Sequence, residues 1–230
     1  MKISELSKRS GVTTASIKYY LREGLLFGGA ATSATQTEYD ETHAARLRLI
    51  RALIDVGGLS VSAARSVLAV IDDESMPIVY AFGIAQHAVT SSLASSTEPS
   101  ATSLARVAEL KAERGWQTHD QNPGEAIVAR VIDAYEAIGR PDLSTMVSAY
   151  ADAADAAATA DLAAVMAAGP GNRTRMVETV VVGTALGDTL FAGLRRIAQE
   201  HRSRQLGLPG SSVHHNPTNT GSERSEGLDK

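Results

Sequence analysis

The chain has 230 residues, a formal net charge of −4 at pH 7, only 4% aromatic residues and no cysteine. That length suggests two domains, and the missing cysteine removes disulfides, thiolate metal sites and thiol-based redox sensing together. The charge is unevenly placed: residues 1–71 hold nine Lys/Arg against six Asp/Glu, whereas the remainder is acidic. Phosphate neutralisation needs only a local basic face, so the division suggests a nucleic-acid reader joined to something else. No stretch approaches the roughly 20 consecutive apolar residues that span a bilayer. Met1-Lys2-Ile3 leads straight into a capped helix with no signal-peptide apolar region, so a soluble cytoplasmic protein is expected.

Residues 4–10 read as a first helix, with Ser4 as N-cap, Glu5 in the first turn and Gly11 as its left-handed stop. Thr13 or Thr14 caps a second helix that ends at Glu23, before Gly24. Ile3, Leu6, Val12, Ile17, Tyr20 and Leu21 recur at helical spacing and form the expected small core. Leu25 to Tyr39 has no helical period and reads as a two-stranded hairpin, or wing. Asp40 caps a third helix to about Val56, with Leu47, Ile50, Leu53 and Ile54 on its apolar face and Arg46, Arg48 and Arg51 in other directions. Gly57-Gly58 ends it, and Ser60 opens a fourth helix that packs through Val61, Ala64, Val67, Leu68 and Ile71. Asp72-Asp73-Glu74 reads as a solvated join.

Helices then follow one another over about 77–95, 101–114, 124–138, 142–168 and 172–206, separated by Pro- and Gly-containing polar stretches. Residues 209–230 are rich in Pro, Gly, Ser, Asn and charge, and read as a disordered tail. The expected fold is therefore mainly all-α. A winged helix-turn-helix over 1–75 precedes an all-helical effector-binding or dimerising bundle over 76–208.

Two short helices around a Gly turn are a frame for presenting one helix to DNA, read from its N-terminal residues and gripped along its flanks. Thr13, Thr14 and Ser16 are small hydrogen-bonding groups suited to the groove floor. Lys18, Tyr19 and Arg22 reach phosphates, and Tyr20 belongs to the core. The segment I-S-E-L-S-K-R-S-G-V-T-T-A-S-I-K-Y-Y-L-R-E-G-L-L resembles the N-terminal signature of the MerR family of transcription regulators, and L-R-L-I-R-A-L-I-D-V-G-G-L-S-V resembles that family's third and fourth helices. The resemblance covers about residues 2–71. It implies a winged helix-turn-helix, an antiparallel homodimer on a pseudo-palindromic promoter site, twisting of an over-long promoter spacer, and RNA polymerase as a partner. It also implies that the first Tyr of the pair, Tyr19, contacts the DNA backbone.

The wing departs from that pattern. Members of the family usually carry Arg two positions before the closing Tyr; here that Tyr is Tyr39 and Thr37 occupies the position. No Lys or Arg lies between Arg22 and Arg46, which leaves Thr35, Gln36 and Thr37 as uncharged contacts and Arg46, Arg48 and Arg51 as compensating cations.

The helical half carries no comparable signature. Ile78, Phe82, Ala85, Val89 and Leu93 form a stripe that fits either a coiled coil with a dimer mate or an internal core helix. Gly183 and Gly187 stand four apart within an apolar run, a layout faintly resembling the dimerising helices of TetR-type regulators. Trp116, Tyr135, Met146, Tyr150 and Phe191 are the candidate lining of a cavity for a small organic effector, with His87, His119 and Asp120 as polar contacts. Two alternatives stay open: a ligand-independent regulator whose helical half only dimerises or recruits a protein, and a ligand-sequestering protein. No catalytic constellation is present, and no cofactor or metal is called for.

Overall fold

The computed structural model describes residues 1–33, 36–73, 75–90, 97–119, 122–169 and 171–206. The Glu74 part of the join, Leu93 and the expected tail lie outside the described residues. Among the described residues the protein is 77% helical with one two-stranded antiparallel hairpin, in agreement with the mainly α reading. It divides into two compact units, Met1–Thr189 and Leu190–Lys230.

In the first unit, α1 (Ile3–Ser10) ends in Gly11 at φ 69°, and α2 (Thr14–Arg22) follows at once. The expected Ser4 cap is corrected: the helix begins at Ile3, with Lys2 as an N-cap that makes no side-chain bond. The reason lies upstream, where the Met1 amine donates to the Tyr39 carbonyl at 2.6 Å and Ile3 packs against the core. Strands β1 (Ala30–Ser33) and β2 (Gln36–Glu38) form the wing. The next helix, α3 (Glu41–Arg51), is capped by Asp40, whose carboxylate accepts from the amides of Thr42 and His43.

At its end α3 widens into a π-helical turn, Ala52–Val56, that sequence periodicity does not register. It keeps Leu53 buried and brings the chain to Gly57. There a methyl group would stand 2.7 Å from the Leu53 carbonyl and 3.1 Å from that of Ala185, so glycine is what admits the last helix so closely. Helix α4 (Val61–Asp72) is capped by Ser60 as expected. Its final residue corrects the solvated-join reading: the Asp72 carboxylate takes a two-pronged ion pair from Arg46 at 2.8 and 2.6 Å.

The helical half continues with α5 (Ile78–Thr90), α6 (Ala101–Arg114), α7 (Pro123–Ala137), a 3₁₀ turn (Pro141–Thr145), α8 (Met146–Ala167) and α9 (Arg173–Gln205). One apolar cluster joins Leu6, Ile17, Leu47 and Leu68 to Ala81 and Ala85 of α5, Val165 of α8 and Val177, Val180 and Val181 of α9. The apolar α5 stripe is thus used within the chain, with Ile78, Phe82 and Val89 packed against that cluster. Each fully buried Leu, Ile or Val in it contributes about 1.5–3 kcal/mol.

A smaller cluster of Val107, Ala129 and Ile132 joins α6 to α7. Its polar edge is Asp133, which accepts from the Ser100 amide (2.8 Å), the Ser100 hydroxyl (2.6 Å) and the Ser103 hydroxyl (2.7 Å). These bonds, that of the Ser100 side chain foremost, hold the carboxyl below the usual carboxylate range. A folded pKa below the unfolded one gives stability that is present above roughly pH 4 and lost as pH falls through the folded value. Asp133→Ala therefore lowers the melting temperature at pH 7 and flattens the loss of stability below about pH 4, as thermal scans across pH will read.

Helix α9 is long and apolar enough to cross a membrane by length and composition alone. An 18-residue window within it has a mean hydropathy of 1.4 and meets the length and composition of a span. Residue-by-residue inspection misses this because Gly, Ala and Thr dilute the run. From Leu190 to Leu206 the second unit is helix followed by a turn, with Leu190, Leu194 and Ile197 exposed.

Candidate nucleic-acid interface

Helix α2 stands because Thr13 caps it: its hydroxyl oxygen accepts from the Ser16 amide at 3.1 Å and lies 2.9 Å from the Ser16 hydroxyl. Thr13 and Thr14 are therefore exposed at the helix N-terminus, where backbone N–H groups and the helix dipole favour an anion. Fully buried Ile17, with Tyr20 and Leu21 packed beside it, fixes the rotation of the helix. Burial, then the nearby Asp55 charge, pushes the Tyr20 phenol up, consistent with its place in the core.

That rotation leaves Lys18 and Arg22 exposed on the opposite side, with Tyr19 half-buried between them. The Arg22 guanidinium lies 5.3 Å from the centre of the Tyr19 ring, a cation–π contact that pre-orders both side chains. At the other end of α2, Arg65 on α4 donates to the Glu23 carbonyl (2.7 Å) and carboxylate (2.6 Å). Arg65 is a positioning residue for α2 that local sequence gives no sign of, because its partner lies 42 positions away.

The wing pairs Ala30 with Glu38, Ala31 with Thr37 and Ser33 with Gln36, with an irregularity between Ala31 and Ser33. Thr37 is exposed; Thr35 and the Gln36 side chain lie outside what is described. His43, unremarked in the sequence, holds the wing's base. It sits 2.7 Å from Asp40 Oδ1 and 3.4 Å from the Gly28 carbonyl, with the Phe27 and Tyr39 rings centred 4.4 and 5.2 Å away.

Gly29 beside it leaves no room for a side chain, since a methyl would come within 2.3 Å of the Glu38 carbonyl. Gly29→Ala consequently pries the wing's first pair apart, at about 1–3 kcal/mol. Faster amide exchange at Thr37 and Glu38, and weaker DNA binding at unchanged helix content, are the expected readouts.

The three arginines of α3 go to different places. Arg46 is corrected from a DNA contact to an interior residue: it is 8% exposed, donates Nε to the Leu25 carbonyl at 2.9 Å, and gives its remaining prongs to Asp72. Arg51 pairs with Asp55 at 3.0 Å. Arg48 is exposed on a shallow cleft lined by Ser10, Arg51, Ala52, Asp55 and Val56.

The residues of the expected effector lining stand on or beside α6, α7, α8 and α9. The Trp116 indole donates to Asp155 at 3.0 Å, with the Arg114 guanidinium 5.8 Å from its ring. Tyr135 is half-buried on α7, and Met146, Tyr150 and Phe191 are 38%, 38% and 40% exposed. His87 and His119 are exposed, and Asp120 lies outside the described residues.

Residues 1–70 match the profile of the MerR HTH family regulatory proteins. The crystal structure of SCO5550, a candidate transcriptional regulator of Streptomyces coelicolor A3(2), is similar along almost the whole chain. The two are 31% identical with a TM-score of 0.63, covering 93% of this chain and 99% of the other. Comparison with curated proteins gives no significant match.

Proposed function

Since this chain belongs to the MerR HTH family of regulatory proteins, we propose that it is a homodimeric, sequence-specific DNA-binding transcription regulator. The observation that carries this reading is α2, a capped helix whose core face is locked by Ile17 and whose other face offers Lys18, Tyr19 and Arg22. On this reading residues 1–75 read DNA and 76–208 dimerise and sense. Thr13, Thr14 and Ser16 enter the major groove at the helix N-terminus, while Lys18, Tyr19 and Arg22 hold phosphates on either side. Thr37 and Gln36 meet the backbone through uncharged hydrogen bonds, and Arg48 adds a phosphate contact from α3.

Because the wing brings no cation, affinity rests on α2 and on having two copies of it. Two half-sites related by the dimer axis then form a pseudo-palindromic operator, at which RNA polymerase is the further partner. A small organic effector shifts the balance between dimer geometries by binding one of them better. Trp116, Tyr135, Met146, Tyr150 and Phe191 are the side chains offered to it, and its arrival is readable from the fluorescence of Trp116, the chain's single tryptophan.

Genomic DNA capture with the purified protein tests the reading. Enrichment of a site with two inverted half-sites is expected; recovery of DNA without any common sequence overturns it.

A further inference from the structure

The face of α2 that the interior does not use begins with a side chain that is only a methyl group. Ala15 is exposed and lies two residues before fully buried Ile17, about 200° around the helix. Lys18, Tyr19 and Arg22 follow it at spacings of three, four and seven, so the four share one side. That side is short at its start and long beyond it. Its direction is fixed, because Ile17 is locked in the core and Arg65 holds the far end of α2 through Glu23. No acidic side chain stands in the first turn to repel phosphates.

The hydroxyls on either side of Ala15 do little to discriminate bases. Thr13 Oγ1 accepts from the Ser16 amide at 3.1 Å and stands 2.9 Å from the Ser16 hydroxyl, so this pair is spent on capping the helix. Thr14 brings a hydroxyl, which suits any base edge as donor or acceptor. Ala15 can make no side-chain hydrogen bond, and that makes it selective. Guanine, adenine and cytosine present polar atoms in the major groove, and a methyl group set against them strips water without replacing its bonds. Thymine presents its C5 methyl group, against which an apolar neighbour is a gain.

We propose that Ala15 packs its methyl group against the C5 methyl group of one thymine in each half-site, and so fixes an A·T pair at that position. The inference rests on the DNA-reading role of α2 given above and names the base it selects. A side chain this small also lets the backbone of α2 come close to the groove floor. From there the longer Lys18, Tyr19 and Arg22 reach outward to the phosphates.

The test alters one methyl group at a time. In the operator recovered by genomic capture, each thymine is replaced singly by deoxyuridine, which keeps the base pair and removes only the C5 methyl group. Wild type is expected to lose roughly 3- to 10-fold in affinity at one thymine per half-site, the two being related by the operator dyad. Ala15→Gly, with helix content checked by circular dichroism, is expected to bind thymine and deoxyuridine equally there. Thr14→Ser, which removes the neighbouring methyl group, is expected to keep the wild-type preference.

The scan with wild type needs no variant to fold. An operator with two half-sites in which no thymine responds to the replacement overturns the proposal and leaves the DNA-reading role of α2 standing. Full retention of the preference by Ala15→Gly, or its loss in Thr14→Ser, gives the methyl contact to another side chain and overturns it as well. Recovery of DNA without any common sequence overturns both readings.

Discussion

Alanine at Lys18, Tyr19 and Arg22 together removes measurable operator binding while the melting temperature stays close to wild type. All three sit on the side of α2 turned away from Ile17, so shortening them opens little of the core. Singly, each is expected to weaken binding by roughly 5- to 30-fold, on the order of 1–2 kcal/mol per contact.

The salt dependence separates their roles. Removing a phosphate-bound cation releases one fewer counterion, so Lys18→Ala and Arg22→Ala each reduce the slope of log affinity against log salt by about 1. Tyr19→Ala weakens binding and leaves the slope nearly unchanged, because the phenol carries no charge. Tyr19 and Arg22 are in contact, so their double variant is expected to lose less than the two single losses combined. The experiment is a titration of a labelled operator fragment at four or five salt concentrations.

Arg46 behaves in the opposite way. Arg46→Met lowers stability by about 2 kcal/mol, a fall of several degrees in melting temperature, and leaves the salt slope of the folded protein unchanged. Three bonds are lost at once: one to the Leu25 carbonyl, just before the wing, and two to Asp72 at the end of α4. The figure is below that for a fully buried pair because the Asp72 side chain is 55% exposed and regains water when its partner goes. Arg48→Ala, two positions along the same helix, is the control. That side chain is exposed, so the slope is expected to fall by about 1 with stability within roughly 0.5 kcal/mol. Chemical denaturation together with the salt titration distinguishes the two arginines.

The contrast between Arg46 and Arg48 also shows where sequence reading stops. The helix-turn-helix was legible because its signals are local: the Thr13 cap, the left-handed Gly11, the core spacing from Leu6 to Ile17, and Asp40 and Ser60 opening α3 and α4. The place of Tyr20 against the core likewise followed from its helical spacing. Whether an arginine on α3 faces water or Asp72 depends on a residue 26 positions away. Arg65 reaching Glu23 and His43 gripping Gly28 are of the same kind. The π-helical turn at Ala52–Val56 and the glycine that admits α9 at Gly57 likewise arise from packing against distant chain.

In the helical half the element order was legible from Pro and Gly breakers. The partners of each apolar face were not, because Ala-rich helices look alike on every side. The α5 stripe, which suits a coiled coil by spacing alone, is packed against the core.

The central claim is that α2 reads DNA, and the most direct measurement is footprinting of the captured operator with wild type and with the Lys18/Tyr19/Arg22 triple alanine variant. Wild type is predicted to protect two symmetry-related half-sites, and the triple variant, folded by circular dichroism, to protect neither. Equal protection by the folded variant would contradict the placement of α2 in the groove.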